Sequence, residues 1–354
     1  MKGSRVTLIQ EQIARYLDEL NYQPLYIQGN ALEVLQQIPD ESIDFCMTSP
    51  PYWNKREYQN GGIGLEKNFT EYIDNVLLVF AQVRRVLKRT GSFWLNIGDT
   101  YVAKGLVGLP WRVTVAMMDR QNWILRNDVI WNKIKGPDNS HDKLRNVHEY
   151  VFHFVKQSRG YYYNDDAIRS KPRVAQVRNG AVVSATGVTG VRYKRQIELS
   201  TSLSSEEKSA AFLALNNVLE QVSKGELADF RMVIRNQQRT THSDSTKLSG
   251  RAKELQQKGF YFLKYHPNGS KPGDVWEIIP EDTQRREVHY AAYPEDLCKV
   301  PILATCPPEG IVLDPFCGTG TTNIVAEQLC RKSIGVDISQ EYLAYARRRT
   351  NALL

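Results

Sequence analysis

The chain has 354 residues, 42% hydrophobic and 24% charged, a globular composition that excludes collagen-like and disordered classes. No apolar run approaches the roughly 18 residues that cross a bilayer, and the N-terminus lacks an apolar secretory core, so a cytoplasmic protein is expected. Lys and Arg total 46 against 39 Asp and Glu, a net charge of +7 that suits a polyanionic partner, while five scattered cysteines with no Cys-x-x-Cys pair predict reduced thiols and no metal.

Apolar patterning predicts a strand at Leu25-Tyr26-Ile27, a helix over 31–38 and a buried strand over 43–47. Residues 68–88 carry one apolar helical face (Ile73, Val76, Leu77, Phe80, Val83, Leu87), with Gly91 expected to stop the helix. Strands follow at 92–97, 123–131 and 151–155, and Pro110 is placed to open a helix between the first two. From about residue 160 to 270 the alternation fails. Arg169, Lys171, Arg173, Arg178, Arg192, Lys194 and Arg195 accumulate there without an acidic residue among them. Within this stretch Ser204-x-x-Glu207 is a capping box ahead of an apolar stripe (Phe212, Leu215, Val218, Leu219, Val222), and 259–263 reads as a strand. The α/β grammar then returns: strand 310–314, helix 322–329, strand 333–337, and a terminal helix capped by Ser339. Such alternation predicts a mostly parallel sheet covered on both faces.

Two motifs carry chemistry. In Asp314-Pro315-Phe316-Cys317-Gly318-Thr319-Gly320-Thr321-Thr322 a strand passes through a Gly-rich turn into a helix, whose first N–H groups are free. About 20 residues on, Asp337 ends the next strand, where a carboxylate can take both ribose hydroxyls. The spacing is neither the dinucleotide Gly-x-Gly-x-x-Gly nor a phosphate loop, so a nucleoside ligand without phosphates, S-adenosylmethionine above all, fits best. In Thr48-Ser49-Pro50-Pro51-Tyr52-Trp53 two prolines remove backbone donors and hold the chain extended. Ser49 and the Pro50 carbonyl can then accept from an amine beside the aromatic faces of Tyr52 and Trp53. The same six residues also suit a Pro-rich turn with its aromatics in the core.

Together the motifs resemble those of the amino-methylating DNA methyltransferases. These transfer a methyl group from S-adenosylmethionine to N4 of cytosine or N6 of adenine. The catalytic motif precedes the cofactor motif, which is similar to the β circular order of that family. Further matches are Gly29-Asn30-Ala31-Leu32, Gly91-Ser92-Phe93-Trp94-Leu95-Asn96-Ile97-Gly98-Asp99, Asn146-Val147-His148-Glu149-Tyr150 and His289-Tyr290-Ala291-Ala292-Tyr293-Pro294. The resemblance covers about 26–156 and 275–348. It implies a Rossmann-like, circularly permuted α/β methyltransferase: a catalytic half over 1–158, an inserted target-recognition region over 159–272, and a cofactor half over 273–354.

The resemblance also implies roles. Asp314, Phe316, Cys317, Gly318, Thr319 and Gly320 would surround the cofactor, Asp337 its ribose, Ile338 and Asn30 its adenine, and Tyr293 would close the pocket. Many relatives carry Asp where this chain has Asn30. Double-stranded DNA would be the partner, with its target base flipped out. Ser49, Pro50, Pro51 and Tyr52 would hold that base. Trp53, Arg173, Arg178, Arg192, Lys194, Arg231, Arg235 and Arg239 would meet DNA. Glu149 is expected to be structural. Ser at position 49 resembles the N4-cytosine enzymes, whereas adenine enzymes more often carry Asp there; a hydroxyl that both accepts and donates suits the cytosine edge, although adenine presents a similar acceptor. N6-adenine is the alternative; RNA or protein methylation and a non-catalytic DNA-binding module rank lower. Any companion restriction endonuclease would be a separate chain.

Overall fold

The computed structural model describes residues 2–55, 62–134, 141–170, 175–178, 181–184, 187–236, 250–280 and 293–350. They form two compact units, Met1–Ala167 with Gly273–Leu354, and Ile168–Pro272.

In chain order the first unit opens with α1 (Lys2–Asp18), β1 (Leu25–Gln28), α2 (Ala31–Leu35), β2 (Ile43–Thr48), α3 (Phe69–Val86) and β3 (Leu87–Ile97). A small hairpin of β4 (Tyr101–Val102) and β5 (Gly105–Leu106) precedes α4 (Leu109–Gln121), β6 (Ile124–Asn132) and β7 (His148–Val155). The second unit holds β8 (Gln176–Arg178), β9 (Ala181–Ser184), β10 (Gly187–Val188), α5 (Thr189–Glu198), α6 (Ser205–Ser223), β11 (Asp229–Ile234), α7 (Gly250–Lys258) and β12 (Phe260–Tyr265). The chain returns to the first unit with β13 (Val275–Glu277), α8 (Glu295–Thr305), β14 (Ile311–Asp314), α9 (Thr321–Gln328), β15 (Lys332–Asp337) and α10 (Gln340–Arg349).

The eight-stranded sheet has the order β1-β15-β14-β2-β3-β7-β6-β13. Every neighbouring pair is parallel except the two made by β7, so one strand runs against the other seven. Pleating sends successive side chains to opposite faces. Cys46 joins a core with α1, α2, α3 and α4, while Phe45 and Met47 join another with α8 and α9. Both faces are thus covered, which is why these strands read as continuous apolar runs. β14 lies between β2 and β15, so the ends of both chemical motifs emerge side by side at the carboxyl edge of the sheet.

One local expectation changes, and one helix is new. Gly91 does not stop α3: that helix ends at Val86 because Leu87 takes an extended backbone and pairs with Ile43. Gly91 lies within β3, where a Cβ would come within 2.8 Å of the Asp44 carbonyl oxygen, so the strands need its bare backbone. The polar N-terminal stretch is helical. Ile13 and Tyr16 of α1 are buried, and the Lys332 ammonium donates to the carbonyls of Leu17 (2.9 Å) and Glu19 (2.5 Å) at its end.

In the second unit, Ser204 and Glu207 form the capping box and Leu215, Val218 and Val222 bury the predicted stripe of α6. Among the described residues no helix is long and apolar enough to cross a membrane.

Candidate active site

The Gly-rich turn is held on β15. The amide of Cys317 donates to the Val336 carbonyl (2.9 Å), and that of Gly318 to the Asp337 carboxylate (2.9 Å). Gly318 and Gly320 have positive φ, 50° and 78°. At Gly320 a Cβ would stand 2.5 Å from the Tyr26 hydroxyl, so α9 can start here only from glycine. The other oxygen of Asp337 accepts from the Ser339 amide (2.8 Å), and its carbonyl accepts from the Gly29 amide (3.0 Å). Asn30, Gly318, Asp337 and Ile338 therefore gather at the ends of β1, β14 and β15. Asn30 is exposed and caps α2 by accepting from the Leu32 amide (2.9 Å). Asp caps a helix equally well, so this geometry tolerates the exchange.

Three residues expected at the cofactor turn their side chains into the fold. Asp314 is 1% exposed, and its carboxylate accepts from the hydroxyls of Thr48 (2.6 Å), Thr322 (2.7 Å) and Tyr293 (3.1 Å) and from the Phe316 amide (3.1 Å). Burial pushes its carboxyl up to about 6, against the pull of these donors. Its side chain is thus spent inside the fold, tying β2 to the Gly-rich turn. The Cys317 side chain is buried with Tyr26, Leu343 and Ala346. Buried Thr319 accepts from the Arg349 guanidinium through its carbonyl (2.9 Å) and hydroxyl (3.3 Å). These side chains shape the turn from behind, leaving Phe316 and Gly318 partly exposed. Tyr293, expected to close the pocket, is buried behind Asp314, and 289–292 lie outside the described residues.

The Ser-Pro-Pro-Tyr turn leaves β2 at Thr48. Tyr72 donates to the Pro51 carbonyl (2.9 Å), pinning the turn on α3, while among the described residues no donor meets the Pro50 carbonyl. Ser49 donates to the Tyr52 hydroxyl (3.3 Å), which donates to Glu149 Oε2 (2.8 Å). The same oxygen accepts from Asn96 Nδ2 (3.1 Å), and Oε1 pairs with Lys133. Burial, and then the Glu149 carboxylate, push the Tyr52 phenol well above its ordinary value. Glu149 was expected to be structural; the antiparallel pairing of β7 with β3 brings it beside the Tyr52 hydroxyl. Ser49, with its hydrogen committed to Tyr52, faces a ligand as an acceptor only.

Trp53, expected to meet DNA, is enclosed. It is 7% exposed, donates to the Glu66 carbonyl (2.9 Å) and meets Phe69 edge-on, so its face is not open to DNA.

In the second unit, Arg192, Lys194 and Arg195 are exposed on α5, whose Tyr193 and Ile197 are buried. Arg231 is exposed on β11. Arg235, expected to meet DNA, binds the Glu207 carboxylate (2.7 and 2.9 Å) and the Ser202 carbonyl (2.8 Å) through its guanidinium and braces the start of α6. Arg173 and Arg239 lie outside the described residues, as does the side chain of Arg178. Among the described residues no group of three His, Cys, Asp or Glu could hold a metal ion.

A doubly covered, mostly parallel sheet with a Gly-rich turn and an acidic strand end at its carboxyl edge defines a Rossmann-like methyltransferase fold. The N6/N4 methyltransferase family model, described as DNA methylase, matches residues 43–348. The chain is 30% identical to the type II methyltransferase M.SfiI of Streptomyces fimbriatus, covering 90% of this chain and 89% of that one. It is 27% identical to M.SmaI of Serratia marcescens over 91% and 89%. A solved structure titled PvuII DNA methyltransferase (cytosine-N4-specific) shares the fold with TM-score 0.54 at 19% identity, covering 92% of this chain and 85% of that one. The chain belongs to the N6/N4 DNA methyltransferase family and is a DNA methyltransferase.

Proposed function

We propose that this enzyme transfers a methyl group from S-adenosylmethionine to the exocyclic N4 amine of cytosine at a specific site in duplex DNA. The observation that carries the reading is Ser49 beside the Pro50 carbonyl, which no donor meets among the described residues: two acceptors, next to the Tyr52 ring. An amine donating to both presents its nitrogen lone pair to an incoming methyl group, so positioning does most of the catalytic work. S-adenosylmethionine supplies an electrophilic methyl group when bound. The chain fits it: Asp337 Oδ2 accepts from the Gly318 amide and Oδ1 from the Ser339 amide, a carboxylate has further acceptor capacity for ribose, and Phe316, Gly318 and Ile338 stay partly exposed beside it. Burial raises the Asp337 carboxyl, and the amides of Ser339, Gly318 and Ile338 oppose that rise.

The cytosine assignment rests on Ser49 and on the Ser-Pro-Pro-Tyr resemblance; the N4 specificity named for the PvuII enzyme agrees with it. The second reading, N6 of adenine, is favoured by one observation. Ser49 acts as an acceptor only, and the adenine amine satisfies an acceptor as well as the cytosine amine does. Ile168–Pro272 supplies target recognition in this reading, with α5 contacting phosphates through Arg192 and Lys194. The test is to express the chain in cells lacking other DNA methyltransferases and identify methylated nucleosides by mass spectrometry. N4-methylcytosine is the expected product. N6-methyladenine alone would reverse the base assignment, and no methylated base would send the search to other substrates.

A further inference from the structure

The polar cluster behind Tyr52 is more elaborate than a stacking platform requires. Glu149 and Lys133 stand on the neighbouring chain segments at the ends of β7 and β6, with side chains only 14% and 24% exposed. A carboxylate paired with an ammonium can only accept. Tyr52 must therefore donate to Glu149, its oxygen is left to accept, and Ser49 must donate to Tyr52. The hydrogens along this line all point from Ser49 toward Glu149. Asn96 fixes the carboxylate from the side by donating to the same oxygen (3.1 Å) and to the Tyr150 carbonyl (3.2 Å). Gly98 leaves room for the arrangement, since a Cβ there would stand 2.9 Å from the Tyr52 ring.

We propose that Glu149 is a positioning residue that ends a proton path running from the target amine through Ser49 and Tyr52. This rests on the amino-methylation reading above. Methylating an exocyclic amine releases one proton. The nitrogen–carbon bond forms as the carbon–sulfur bond of the donor breaks, leaving a neutral thioether. An N–H bond breaks onto Ser49 Oγ, the Ser49 hydrogen passes to the Tyr52 oxygen, and the phenol hydrogen passes to Glu149 Oε2. Ser49 and Tyr52 end neutral, as they began, and the carboxylic acid then returns its proton to water. The buried phenol resists ionisation, so it gives up its hydrogen only as it receives another, and the transfers are concerted with methylation. Glu149 never touches the base.

The test uses the full chain, S-adenosylmethionine with a labelled methyl group, and unmethylated bacterial genomic DNA in single turnovers. Glu149→Gln keeps a hydrogen-bonding group beside Tyr52 but cannot take a proton, and should slow transfer by about 100-fold with cofactor affinity unchanged. Tyr52→Phe keeps the stacking ring and should lose a similar factor. The double variant should lose no more than either single one, because both interrupt one path. Independent, multiplying losses would overturn the relay, as would a Glu149→Gln rate close to wild type. Should Glu149→Gln fail to fold, solvent isotope effects decide: heavy water should slow the wild type more than Tyr52→Phe, and equal slowing overturns the path. Absence of transfer to DNA by the wild type overturns the amino-methylation reading itself, and the relay with it.

Discussion

Two aspartates end adjacent parallel strands and meet opposite fates. Asp337 is partly exposed and offers lone pairs outward, whereas Asp314 is enclosed by four donors. Asp337→Ala should weaken S-adenosylmethionine binding by roughly 10-fold or more, since hydrogen bonds to a charged group contribute about 1.5–3 kcal/mol. Calorimetry on the folded variant checks this, and unchanged affinity would remove Asp337 from the site. His153 makes a pH prediction. It is buried, stacked 4.4 Å from Trp94, with Nε2 3.0 Å from Ser92 Oγ. Burial, and then the charge of Arg126, hold its imidazole down to about 3 from an ordinary 6.5. The unfolded chain therefore binds a proton that the folded chain refuses, so this contribution is intact above the ordinary value and is lost as pH falls toward 3. Asp314 has the opposite sign: its raised carboxyl favours the folded state below its ordinary 3.8, an advantage lost as pH rises through about 6. The wild type sums both, so the informative quantity is a difference. His153→Phe should show a smaller loss of denaturant stability between pH 7 and pH 5 than the wild type. Parallel slopes would contradict the buried neutral imidazole.

At the scale of elements, helix starts decide the most. Pro110 opens α4, Ser204 with Glu207 caps α6 and Ser339 caps α10, each a local arrangement that the residue types announce. Gly320 does more, because α9 begins against Tyr26 and Ala346. Gly320→Ala forces an L-residue to φ 78° at about 1–2 kcal/mol, before the 2.5 Å overlap with Tyr26 is counted. Thermal melts should show a loss of several degrees together with weaker cofactor binding. An unchanged melt would mean that Tyr26 moves aside freely. The helix–strand junction at Leu87 was not legible locally. A glycine four residues on resembled a stop, but pairing of Leu87 with Ile43, a contact across 44 positions, ends α3. α1 was missed for a related reason, since its few buried side chains acquire their meaning only against β15 and its neighbours.

For the molecule as a whole, charge and fold are separable. The basic residues of α5 occupy a unit with its own apolar core, built from Ile197, Leu215, Val218, Phe230, Met232 and Phe260. Replacing exposed Arg192, Lys194 and Arg195 with alanine should leave that core intact and weaken DNA binding most at low salt. Each lost phosphate contact should reduce the slope of log affinity against log salt by about 0.9. Fluorescence anisotropy across a salt series measures it, and an unchanged slope would place the phosphate contacts elsewhere.

The sequence by itself determined the strand and helix alternation, the mostly parallel sheet, the two chemical turns and the family, because period, turn chemistry and strand-end residues are local properties. Only the tertiary structure decided which side chains of those turns face outward. Asp314, Cys317, Thr319 and Trp53 sit inside motifs that promise ligand contact, yet each is buried by packing between residues distant in the chain. Arg235 reads as a DNA contact until Glu207, 28 positions away, takes its charge. Glu149 reads as scaffold until the antiparallel pairing of β7 brings it to Tyr52, 97 positions away. Burial and hydrogen-bond partners are properties of the folded chain, since they depend on which segments meet across the sheet.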